Sequence, residues 1–141
     1  MNELIKFSLP VIGVIKGASL QFLFSKRSEN RKQQNLLKTT AYTDFLKANA
    51  GIAITQRFSD KEKEMENFIL LTDAKARICI YGSDSVIESI TEFERFDPVL
   101  DNPKAYKIFT SIVSEMRKDN LNVKDIELNN ISQLILGTNI E

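Results

Sequence analysis

Residues 4–24 read LIKFSLPVIGVIKGASLQFLF, and the next eight, Ser25 to Lys32, read SKRSENRK. No other stretch limits so strongly what this chain can fold into. Twenty-one residues in a helix extend about 31 Å, roughly the thickness of one hydrocarbon core. Thirteen of the twenty-one are Leu, Ile, Val, Phe or Ala. The basic cluster follows the apolar run directly, which marks the cytoplasmic side under the positive-inside rule, with the N-terminus outside. A cleaved signal peptide needs its basic residues first and a small-residue cleavage site after the run. Here the order is reversed and the run ends in Phe-Leu-Phe.

Lys16 complicates full insertion. A central Lys costs about 2.5–3.5 kcal/mol on insertion scales, and each large apolar residue returns only about 0.3–0.6. On a helical wheel Leu4, Phe7, Val11, Val14, Ile15, Ala18 and Phe22 fill one arc. Lys6, Pro10, Gly13, Gly17 and Gln21 lie opposite, with Lys16 at the margin. Three placements satisfy this pattern. The segment spans, with Gly13 and Gly17 packing against another helix and Lys16 kept from lipid. It lies in the headgroup plane with its apolar arc down. Or it folds into the core of a soluble helical module.

Charge divides the chain in the same way. Residues 1–40 carry seven Lys/Arg and two acids, a net +5, and the remainder carries −5, so the total of zero hides a basic head on an acidic body. Such a head suits an anionic surface. Lys26, Arg27, Arg31 and Lys32 lack the interleaved aromatics that stack on bases, which argues against nucleic acid. Beside an apolar run they read as lipid-headgroup contacts.

Downstream, the periodicity is helical throughout. Neither Pro nor Gly occurs between Gly17 and Gly51, and Leu37, Ala41, Phe45, Ala48 and Ile52 recur at spacings of three and four. The first helix therefore extends to about Arg57. Ser59-Asp60-Lys61-Glu62 has the form of a capping box opening a second helix, with Ser59 as cap. Met65, Phe68, Ile69, Ala76, Cys79 and Ile80 are its expected inward positions, and Gly82 its end. Ser83 or Asp84 opens a third helix with Val86, Ile87, Ile90 and Phe93 apolar, stopping before Pro98. Asn102-Pro103 opens a fourth carrying Tyr106, Phe109, Ile112, Val113 and Met116. A short fifth, around Asp125 to Leu136, offers Ile131, Leu134 and Ile135, closed by Gly137. The fold class is all-α: a long N-terminal helix, a membrane anchor running into a bundle, plus three or four shorter helices. The expected division is residues 1–24 as the membrane-associated helix and 25–141 as a cytoplasmic helical bundle.

Catalytic chemistry has little to draw on. The chain contains no His and one cysteine, so the commonest general base and metal ligand are missing and no intrachain disulfide forms. Cys79 sits between two isoleucines and reads as a buried structural thiol. Glu62 and Glu66, and Asp84, Glu88 and Glu92, share helix faces, which ordinarily means solvated faces. Gly82-Ser83 at the opening of a helix reads either as an anion site or as a tight corner, and one glycine without a Gly-Lys-Ser/Thr favours the corner. No catalytic residue, cofactor or metal ligand is expected.

The order of parts, an apolar anchor, a basic junction and a long helix, is followed by Asp73-Ala74-Lys75-Ala76-Arg77-Ile78-Cys79-Ile80-Tyr81-Gly82-Ser83 leading into Val86-Ile87. This resembles a loose group of small uncharacterised bacterial and phage proteins that carry an N-terminal membrane anchor and a helical cytoplasmic domain. The resemblance implies a bacterial or mobile-element origin and assigns no activity either way. The expected location is the bacterial inner membrane, with most of the chain cytoplasmic. The residues themselves favour a non-enzymatic, membrane-associated protein acting through protein–protein contacts as a homo-oligomer. Two alternatives are an oligomeric pore-forming toxin or defence effector, its lumen lined by Lys16, Gln21 and the glycine face, and the soluble binding module with residues 4–24 in its core.

Overall fold

The computed structural model describes the backbone of residues 2–96, 99–123 and 125–140, and, within those ranges, the side chains of 21–22 and of residues from 24 onward. Among the described residues there are five helices and no strand: α1 (Asn2–Phe58), α2 (Lys61–Tyr81), α3 (Asp84–Phe96), α4 (Pro103–Leu121) and α5 (Leu128–Leu136). The chain divides into two compact units, Met1–Leu36 and Leu37–Glu141.

In the first unit the described side chains, from Gln21 to Leu36, all stand exposed. The expected membrane-facing and packing residues Leu4, Phe7, Val11, Gly13, Val14, Ile15 and Gly17, with Lys16, lie outside the described side chains. Among the described residues no helix is long and apolar enough to cross a membrane.

The second unit is built around three phenylalanines, one each from α1, α3 and α4. Phe45 stacks on Phe109 with ring centroids 6.4 Å apart, and Phe93 tilts against Phe109 at 5.7 Å. Ala41 and Ala48 flank Phe45 on α1, so the backbone approaches its neighbours closely on both sides of the ring. Val86 and Ile90 from α3, and Ile108, Ile112 and Met116 from α4, close the layer. This is the stripe that the three–four spacing on α1, α3 and α4 predicts, except that Leu37, its expected first member on α1, is 40% exposed.

Helix α2 departs from the expected orientation. Its buried residues are Leu71, Ala74 and Ile78. Met65, Phe68, Ile69, Ala76, Cys79 and Ile80, expected inward, are exposed, Met65 at 63%, Ile69 at 64% and Ile80 at 70%. The helix has apolar residues on two sides, and the bundle takes the narrower one, where Ala74 lets the backbone approach. On α5 Ile131 is buried as expected, but Leu134 is 86% and Ile135 44% exposed.

The chain reversals show how local chemistry ends each helix. At the end of α1 the Ser59 amide donates to Gln56 O and the Asp60 amide to Thr55 O. With Ser59 at φ 55, this is a Schellman motif with serine in the left-handed position that glycine usually takes. Ser59 therefore terminates α1, and it is Asp60 whose carboxylate accepts the Lys63 amide and opens α2. Asn102 caps α4 through the Ala105 amide with Pro103 next to it, as its sequence predicts. Gly137 leaves α5 at φ 69. The chain then folds back so that Thr138 O accepts the Ser132 hydroxyl at 2.6 Å and Ile140 is buried.

Candidate interaction surfaces

The Ala76–Ser83 stretch forms a packing joint. The Gly82 amide donates to Ile78 O at 2.8 Å, and the Ser83 amide donates to the Tyr42 hydroxyl at 3.3 Å. Both amides at the corner are thus already engaged within the fold, which leaves neither for an anion. A Cβ at Gly82 would come within 2.7 Å of Ile78 O and 3.3 Å of the Tyr42 hydroxyl, so glycine is required here for close approach. Tyr42 in turn donates to Asp119 Oδ2, which also receives Lys38 at 3.1 Å. The adjacent Thr39 hydroxyl donates to Asn120 Oδ1. One phenol thereby ties α1 to the α2–α3 corner and to the last turn of α4. Burial first, and then the bond to Asp119, push the Tyr42 hydroxyl well above its ordinary pKa.

Cys79 is exposed, not buried as its isoleucine neighbours suggest. Position 79 lies one residue beyond the buried Ile78, a rotation of about 100° that carries it off the core face. The acidic residues noted in the sequence, Glu62, Glu66, Asp84, Glu88 and Glu92, are all exposed. Among the described residues no group of three Cys, Asp or Glu side chains is placed to hold a metal.

Two grooves open on the second unit. One, of about 760 Å³, runs between α1, α4 and α5 past Leu46, Lys47, Ile54, Phe109 and Ile135 and is mainly apolar. The other, of about 590 Å³, is lined by Gln56, Arg57, Phe68, Lys75, Glu94 and Tyr106 and mixes both charges. Glu94 is held by Lys75 at 2.6 Å, so one cation and one carboxylate of that lining already satisfy each other. A smaller hollow of about 300 Å³ lies between α2 and α3 beside Cys79, with Ile78, Ile87 and Ile90 in its lining.

Lys26, Arg27, Arg31 and Lys32 are all exposed, directly after the exposed Phe22 (67%) and Phe24 (69%). The same helical segment therefore offers large apolar side chains and four cations to its surroundings. The exposed apolar face of α2 was not identified from the sequence as a surface; its three–four spacing was visible, but spacing does not say which of two apolar sides meets the core.

No protein-family model matches the chain, and no curated protein or solved structure is significantly similar to it.

Proposed function

We propose that this is a non-enzymatic, membrane-associated protein whose N-terminal helix meets lipid and runs into a bundle that works by contact with other protein, a second copy of itself included. The observation that carries the reading is the run of Phe22, Phe24, Lys26, Arg27, Arg31 and Lys32, all exposed on one helical segment after an apolar sequence. Aromatic and aliphatic groups at an interface contribute apolar burial, and each Lys or Arg near an anionic surface adds roughly 1 kcal/mol. A helix presenting both in immediate succession suits the cytoplasmic edge of an anionic bilayer. The protein-contact half of the reading is supported by the uncovered apolar side of α2.

Co-sedimentation of the full chain with phosphatidylglycerol-containing vesicles tests the lipid half. The protein should pellet with anionic vesicles and resist a carbonate wash of cell membranes. Reversing Lys26, Arg27, Arg31 and Lys32 to Glu should weaken vesicle binding strongly. A wild-type chain left wholly in the supernatant, with and without anionic lipid, would remove the proposal.

A further inference from the structure

Two of the three hollows described above set both charges side by side. The 590 Å³ groove holds Arg57 and Lys75 with Glu94 and Asp101, and the 300 Å³ hollow holds Lys75 and Arg95 with Glu94. The 760 Å³ groove between α1, α4 and α5 differs. Its charged lining is Lys47 and Arg57, with no acid among the described residues. Neither cation has an ion-pair partner among the described residues. The surrounding stretch, residues 41–141, carries a net charge of −5. The positive sign of this groove is therefore local to it and not a by-product of a basic body.

Lys47, Ala50, Ile54 and Arg57 recur at spacings of three, four and three, so one face of α1 forms the groove's long wall. The two cations stand about 15 Å apart along the helix. Ala50 and Ala53 keep that wall low between them, and Phe109, only 3% exposed, makes the floor. Ala53, Arg57, Leu100 and Tyr106 also line the 590 Å³ groove, so the two grooves meet at the Arg57 end. A guanidinium and a half-buried phenol thus stand together where an apolar channel ends. The volume falls within the roughly 300–1,000 Å³ of small-molecule sites, which are mostly apolar with a few placed polar groups.

A ligand matching this lining has an apolar body and an anionic end. Arginine takes a carboxylate through two parallel N–H···O bonds, and apolar walls strengthen the attraction. One guanidinium answers one negative charge, whereas a phosphate monoester brings nearly two. We propose that this groove binds a single-chain fatty acid, its carboxylate on Arg57 beside Tyr106 and its chain running over Ala53, Ala50 and Phe109 toward Leu46. Lys47 adds to the positive field along the way. This goes beyond contact of the N-terminal helix with a bilayer and does not depend on it.

Photolabelling tests the site. The full chain, with phosphatidylglycerol vesicles and without them, is irradiated with dodecanoic acid bearing a diazirine at its chain end, and labelled peptides are mapped by mass spectrometry. Labels should fall in the segments holding Leu46 and Ile135. Excess dodecanoate should compete them away, and dodecanol should compete at least tenfold less well. Arg57→Gln should weaken groove labelling by about tenfold, and Arg57→Lys by less, since lysine keeps the charge but loses the fork. Ala50→Trp fills the channel from an exposed position and should abolish groove labelling. Circular dichroism confirms that the variants keep the fold. Equal competition by dodecanol, or groove labelling that survives Ala50→Trp, overturns the proposal, as does labelling confined to other parts of the chain. Labels on residues 4–24 report probe dissolved in the bilayer and should be the same in every variant, so failure of the groove is distinguished from failure of the lipid reading.

Discussion

Tyr42 donates its phenolic hydrogen to Asp119 Oδ2 across 2.6 Å, joining residues 77 positions apart in the chain. The Tyr42 hydroxyl oxygen in turn accepts from the Ser83 amide, so removal of one hydroxyl opens the α1–α4 contact and the α2–α3 corner together. Tyr42→Phe should destabilise the bundle by about 1–3 kcal/mol, read from urea unfolding.

The same tyrosine gives the protein an alkaline limit. Its folded pKa is raised above the ordinary 10.0, chiefly by burial and then by the bond to Asp119. An acid with a raised folded pKa contributes stability that is complete below the unfolded value and declines once pH exceeds it. Above about pH 10 the unfolded chain releases this proton while the fold retains it, so stability should fall by up to about 1.4 kcal/mol per pH unit from this group. Comparing stability between pH 9 and 11 should show that component absent in Tyr42→Phe.

Gly82 is constrained by space, not by dihedral angle, since its φ of −76 is open to any residue. A methyl group there meets the Ile78 carbonyl, which is backbone and cannot step aside cheaply. Gly82→Ala should cost about 1–3 kcal/mol. A neutral result would mean that the corner is looser than its hydrogen bonds indicate.

Ser59 holds a left-handed conformation in a Schellman motif without being glycine. Ser59→Gly should therefore stabilise the protein by about 0.5–1 kcal/mol, after allowance for the greater freedom of glycine in the unfolded chain. Thermal unfolding of the two proteins side by side measures it. A lower midpoint in the variant would show that the serine makes some compensating contact.

Phe93 and Ile69 offer a paired contrast. Phe93 is fully buried against Phe109, whereas Ile69 is 64% exposed. Phe93→Ala should cost about 3–5 kcal/mol, and Ile69→Ser about 0.5 kcal/mol or less at protein concentrations too low for association. A large, concentration-independent loss in Ile69→Ser would place that side chain within the monomer's core.

Much of the bundle was legible from spacing and punctuation. Ala41, Phe45 and Ala48 on α1, and Phe109, Ile112 and Met116 on α4, are buried where a three–four repeat puts them. Asn102 before Pro103 begins a helix, and Gly137 after Leu136 ends one, because cap chemistry acts within a turn and needs no distant partner. The Ser59–Glu62 motif misled by one residue, since serine and aspartate are both competent caps and the left-handed turn that separates them is set by how α1 ends.

What the amino-acid order determined unaided is the set of properties that depend on neighbours in the chain: the helical class, the helix boundaries to within a few residues, and an apolar run abutting a basic one at the N-terminus. What the tertiary structure alone decided is which side of α2 faces inward, the exposure of Cys79 and Leu134, and the joining of Tyr42 to both Asp119 and Ser83. A helix with apolar residues on two sides satisfies its own backbone equally well in either rotation. Only the shape and volume of the helices packed against it select one, and that information is distributed over residues far away in the chain.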